Sequence, residues 1–122
     1  MTEAMYECEK TIPRNVALCM MNMMCQHDDY RVVQHDDYMY NAALLIQMTY
    51  LGSPSIYYGE ELDYVRETED GIGTVQSFYS MEWDESNWDQ ARLNFYKATT
   101  ELRQEYSCIK TGVVNMLQSD IE

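Results

Sequence analysis

Apolar positions along this 122-residue chain cluster at spacings that predict alternating helix and strand. Val16, Ala17, Met20, Met21 and Met24 follow Pro13 at roughly helical intervals, and proline suits the first turn of a helix because its missing N–H costs nothing there. From Asn22 to Gln26 the pattern fits either the end of that helix or a short buried strand. Polar residues from Gln26 to Asp37 predict a connecting loop. Tyr38 to Tyr50 reads as a helix, apolar on most sides through Ala42, Ala43, Leu44, Leu45, Ile46 and Met48, as expected of one packed under other layers. Gly52 stops it, and Pro54 cannot continue it. Ser55 to Tyr58 is rich in β-formers and predicts a short strand buried on both faces.

Gly59 to Asn87 is a long irregular stretch, and loops of that length are usually functional or disordered. Ser86, Asn87 or Asp89 can cap the helix that follows, over Asp89 to Tyr106, where Leu93, Phe95, Tyr96, Thr99 and Leu102 make an amphipathic pattern. Gly112 ends that unit, and Val113 to Leu117 has the pattern of a further strand. Helix, tight turn and buried strand are the parts of an α/β unit, so the expected fold class is α/β.

Length limits what such units can build. One domain is the maximum here, with a modest core. The formal net charge of −13 opposes binding to nucleic acid or to an anionic membrane, and leaves neutral partners such as sugars. Cys8, Cys19, Cys25 and Cys108 form no C-x-x-C pair, so zinc is not expected and free buried thiols are. The first residues carry no basic segment followed by an apolar one, so no signal peptide is expected and the location is read as cytoplasmic. No run approaches the roughly 20 apolar residues of a membrane helix.

Chemistry-bearing residues concentrate in a few places. Gln26-His27-Asp28-Asp29-Tyr30 recurs as Gln34-His35-Asp36-Asp37-Tyr38. The second copy precedes a predicted helix, where acidic residues are favoured by the helix dipole, and it reads as a solvated helix start. The histidines and aspartates have neither H-E-x-x-H nor EF-hand spacing, so no metal site is expected among them. The first copy ends an apolar segment, and Arg31 follows it. Further on come Tyr57-Tyr58-Gly59-Glu60-Glu61, then Met81-Glu82-Trp83-Asp84, then Glu101-Leu102-Arg103 ahead of Gly112.

In that order these segments resemble the last part of the catalytic barrel of the α-amylase family, glycoside hydrolase family 13. The resemblance spans roughly residues 12 to 117, about a third of a barrel of ~250 residues. It implies a partial (β/α)8 barrel made of the last two βα units, roughly strands 7 and 8 with their helices, completed by other chain segments or by self-association into a homo-oligomer. The implied division is a barrel fragment over 1–112 and the start of a following β domain over 113–122.

The same resemblance implies roles. Asp28 would be the carboxylate that stabilises the distorted sugar and its oxocarbenium-like charge in the transition state, as a buried anion. His27 and Arg31 would bind sugar hydroxyls, with Tyr58 and Glu60 lining the cleft. Trp83 would stack on a sugar ring. Gln26 stands where the family usually has asparagine or serine, and Ser80 where it has proline. The implied substrate is an α-glucan or maltooligosaccharide. No cofactor is expected of this chain, although calcium could bind elsewhere in a longer parent.

A retaining glycosidase needs a nucleophile and a general acid/base ~5 Å apart. In the family these lie on earlier strands, one in a G-x-R-x-D segment, and no such segment occurs here. The resemblance therefore implies a piece of a retaining α-glucan hydrolase that is inactive alone. The alternatives are a non-catalytic relative and a self-assembling α/β fragment with a binding or structural role.

Overall fold

In the computed structural model, residues 7, 10–28, 37–64 and 80–113 are described. Helix α1 (Arg14–Ala17) leads to strand β1 (Met21–Met23), helix α2 (Asp37–Thr49) and strand β2 (Ser53–Ser55). Short 3-10 turns cover Glu60–Leu62 and Glu85–Asn87, and helices α3 (Gln90–Glu105) and α4 (Ser107–Thr111) follow. The strands pair in parallel, Met21 opposite Ser53 and Met23 opposite Ser55, so β1, α2 and β2 form a βαβ unit. The α/β expectation holds, with a small parallel sheet and helices packed beside it.

Local physics explains where each element begins. Pro13 precedes α1 as its N-cap, with φ −53° and ψ 133°, and its carbonyl accepts from the amides of Val16 and Ala17. Of the two readings of Asn22 to Gln26, the structure takes the strand and starts it one residue earlier, at Met21. Helix α2 falls within one residue of expectation at each end. It is not apolar on every buried side, though. Tyr40, Leu44, Gln47 and Met48 make its buried stripe, while Tyr38, Met39 and Leu45 are exposed.

The second strand differs from its sequence pattern. Its ladder covers Ser53–Ser55, and Ile56 to Tyr58, the strongest β-formers, run on past the end of β1 with no ladder among the described residues. The reason is the turn at Gly52. Its φ of +98° brings the chain directly back beside β1, where the Ser53 amide donates to the Met20 carbonyl at 2.7 Å. Val113 is exposed, and the expected strand beyond it, with the 113–122 domain start, lies outside the described residues.

Two contacts lock α2 to the sheet and to α3. The Gln47 side-chain amide donates to the carbonyls of Asn22 and Ser55, at 3.0 and 2.9 Å, bridging both strands. The Arg103 guanidinium donates to the carbonyls of Met48, Tyr50 and Gly52, so a cation sits at the C-terminal end of α2, where the helix dipole favours it. Between these lies the core of Tyr40, Leu44, Met48 and Tyr96, with Met24 and Phe95 packed against it. The Tyr40 and Tyr96 hydroxyls hydrogen-bond inside it. Burial raises both phenol pKa values above the ordinary 10.0, and the neighbouring Glu60 carboxylate pushes them the same way.

Two outcomes follow. A Cβ at residue 52 would lie 2.5 Å from the Met20 carbonyl oxygen, on a backbone that L side chains rarely adopt. Gly52→Ala should lower stability by about 2 kcal/mol or more, read as a drop in urea midpoint at unchanged m-value. The tyrosines keep their protons in the folded chain at pH values where the unfolded chain releases them. Their contribution is fully present below the ordinary value of 10.0 and is lost as the pH rises past it. Urea titrations above that value should show stability falling by about 1.4 kcal/mol per pH unit for each tyrosine. Tyr96→Phe should flatten the fall; an unchanged slope would contradict this account.

Candidate functional site

Both strands of a parallel βαβ unit deliver their C-terminal ends to one edge, which is where α/β barrels place their chemistry. Here β1 runs out through Met24 and Cys25 to His27 and Asp28, and β2 runs out through Ile56 to Tyr58 and Glu60. His27 Nε2 lies 3.2 Å from Asp28 Oδ2. Both side chains are open to solvent, 58% and 71% exposed, so the burial expected for Asp28 is not provided by the described residues. A carboxylate this exposed is screened, and its effect on a nearby cation is weak until something covers it. Arg31 lies outside the described residues.

Glu60 is placed differently from its sequence reading. It is fully buried, and its Oε2 accepts from the Tyr57 amide at 3.2 Å and from the Tyr96 hydroxyl at 3.5 Å. Gly59, at φ +85°, reverses the backbone ahead of it and lets the carboxylate turn into the core. Glu60 therefore organises the strand exit, while Tyr58, half-buried with its ring 4.7 Å from that of Tyr57, and Glu61 line a groove beside α3.

Trp83 is 78% exposed on a tightly braced turn. Glu82 accepts from the Asp84 amide and the Asn87 side chain, and its carbonyl accepts from the Trp88 indole. Asp84 accepts from the amide and hydroxyl of Ser86, and these bonds hold its carboxyl below the usual carboxylate range. The turn thus presents the Trp83 ring outward while its backbone is fixed. Such a ring can stack on a sugar face.

One residue that sequence reasoning missed ties these segments together. Arg92 is 4% exposed and pairs with Asp37 at 2.7 Å and with Asp63 at 3.6 Å. Its guanidinium lies 3.7 Å from the centre of the Tyr40 ring. Asp63 follows the Tyr57-Tyr58-Gly59-Glu60 motif, and burial raises its carboxyl pKa against the pull of Arg92. Asp37 is the last acidic residue of the second His-Asp-Asp copy, so that copy does more than start a helix: it anchors α2 to α3. An arginine one turn into an amphipathic helix was the available signal, but its partners are 55 and 29 positions away along the chain. Among the described residues, no group of three or more histidines, cysteines or acidic residues is arranged to hold a metal ion.

No protein-family model matches the chain. A cyclomaltodextrinase from Bacillus sp. is 32% identical over 111 residues, covering 88% of this chain and 19% of that protein. Neopullulanase 2 from Thermoactinomyces vulgaris is 29% identical over 111 residues, 88% of this chain and 18% of that protein. A solved cyclomaltodextrinase superposes with a TM-score of 0.67 at 33% identity, over 81% of this chain and 17% of that one. The chain thus spans about a fifth of the length of the curated relatives it matches. The chain belongs to the α-amylase family, glycoside hydrolase family 13, and matches one segment of the longer proteins in it.

Proposed function

We propose that this chain supplies the last two βα units of the catalytic barrel of a retaining α-glucan hydrolase. What carries the reading is the parallel pair of β1 and β2, which brings His27 and Asp28 to the same sheet edge as Tyr58. In this reading Asp28 faces the sugar ring at the cleavage point and stabilises its developing positive charge once the remaining barrel walls exclude water. His27 and Arg31 donate to sugar hydroxyls. Tyr58 walls the cleft, Glu60 fixes the strand exit behind it, and Trp83 offers a stacking face. The names of the relatives, cyclomaltodextrinase and neopullulanase, support an α-glucan as substrate.

The chemistry itself needs more than this chain holds. Retention requires a nucleophile and a general acid/base ~5 Å apart; Asp28 in its stabilising role is neither, Glu60 is turned into the core, and no G-x-R-x-D segment occurs. The chain alone should therefore bind maltooligosaccharides weakly and not turn them over. Tryptophan fluorescence titration with maltoheptaose should give a dissociation constant that Trp83→Ala weakens about fivefold, corresponding to ~1 kcal/mol of stacking. Reducing-sugar assays should show no release above the uncatalysed rate. Turnover that disappears in Asp28→Asn would overturn the incomplete-enzyme reading, and no sugar binding at millimolar concentration would overturn the glucan assignment.

A further inference from the structure

A single guanidinium meets the closing ends of both candidate site segments. Asp37 opens α2, at the end of the connection that His27 and Asp28 begin, and Asp63 ends the turn that follows Tyr58 and Glu60. Arg92 Nη2 faces both carboxylates, at 2.7 Å from Asp37 and 3.6 Å from Asp63. The first contact is a charge-assisted hydrogen bond, and the second is too long to be one. Asp63 Oδ1 and Arg92 Nη1 are both buried, and neither has a hydrogen-bond partner among the described residues. Asp63 also stands at φ +54°, in the left-handed region that a residue other than glycine holds only when its surroundings impose it. Asp89, a third carboxylate acting on Asp63, is occupied as the N-cap that accepts from the Arg92 amide.

We infer that Arg92 is a positioning residue, a shared clasp for which Asp37 and Asp63 compete, and that it sets how tightly the Tyr58 segment is held relative to the start of α2. The Tyr40 ring allows the exchange. The guanidinium lies 3.7 Å from the ring centre, and a cation keeps its attraction to an aromatic face within about 6 Å of the centroid, so it can slide across that face. A slide toward Asp63 gives the unpartnered Nη1 and Oδ1 to each other and lengthens the Asp37 bond. Two parallel donors suit one carboxylate, so Asp63 gains a bidentate pair by the move. Asp37, 83% exposed, finds water when released. Where Asp63 now stands its charge is poorly compensated, since burial raises its carboxyl pKa in spite of Arg92. With one donor group shared, tightening one end loosens the other, and the coupling is reciprocal. Its bearing on sugar rests on the reading proposed above, which puts Tyr58, His27 and Asp28 at the glucan; the competition itself rests on the distances alone.

Amide hydrogen exchange of the 122-residue chain, read residue by residue by NMR, provides the test. The reporters are the amides of Leu62, Asp63 and Tyr64, which donate to the carbonyls of Gly59 and Glu60, and those of Asn41 and Ala42 at the start of α2. Asp37→Asn should slow exchange about threefold at Leu62 to Tyr64 and speed it about threefold at Asn41 and Ala42. Asp63→Asn should do the reverse, and asparagine tolerates the left-handed turn, so the chain still folds. Faster exchange at both ends in each variant overturns the inference, because two independent ties behave that way. Unchanged exchange in both overturns it too. Arg92→Met fills the space over Tyr40 without charge; in that background Asp37→Asn should no longer slow Leu62 to Tyr64, and slowing there counts against the clasp. Maltoheptaose titration of the same variants reads the link to sugar. Affinity should fall about threefold in Asp63→Asn and hold in Asp37→Asn, and equal affinities beside reciprocal exchange overturn the positioning role. Reciprocal exchange in a chain that binds no maltoheptaose counts against the glucan reading and leaves the clasp standing, whereas sugar binding without it does the opposite.

Discussion

The structure hangs on the seam where Tyr40 of α2 meets Tyr96 of α3. Both rings are buried, their hydroxyls bond to each other, and the Arg92 guanidinium covers the Tyr40 face. Polar atoms this deep must find partners or cost free energy, so the seam recruits Glu60 on one side and Asp37 and Asp63 on the other. Those partners come from the strand exit, the start of α2 and the turn after the motif. A contact between two helices therefore also sets the direction in which the Tyr57–Asp63 segment leaves β2.

The same seam explains why the site is positioned but not enclosed. Everything that fixes Glu60 and Asp63 lies on the helix side of the sheet, where α2 and α3 pack. On β1, Met21 and Met23 are exposed, and His27 and Asp28 stand in solvent beyond them. Methionines at 60% and 42% exposure on one strand face are a surface that a larger assembly would cover, since apolar groups so placed gain by leaving water. The described residues brace Glu60 and Asp63 from the helix side and leave His27 and Asp28 open to solvent.

Helix α2 and helix α3 were legible in the residues because each carries a long periodic stripe and a clear stop or cap: Gly52 ends one, and Asp89, accepting from the Arg92 amide, starts the other. The strands were less legible. Three residues are too few for periodicity, and β2 formed at Ser53–Ser55, where a partner exists, instead of at Ile56–Tyr58, where propensity is highest. The place of Glu60 was not legible either: the resemblance sets it at the cleft, and only the +85° turn at Gly59 and the tyrosines across the core show its side chain turned inward.

The sequence by itself determined what depends on near neighbours: helical stripes, the Gly52 turn, the acidic balance, and the ordered motifs that resemble the α-amylase family. Tertiary structure decided what depends on distant ones. It chose the register of β1 against β2 through the Gln47 bridge, turned the second His-Asp-Asp copy into an anchor for Arg92, and left one stripe of α3 open. Local spacing can state which side chains share a face. It cannot state which face finds a partner, because that depends on the loops that bring residues 55 positions apart within 3 Å of each other.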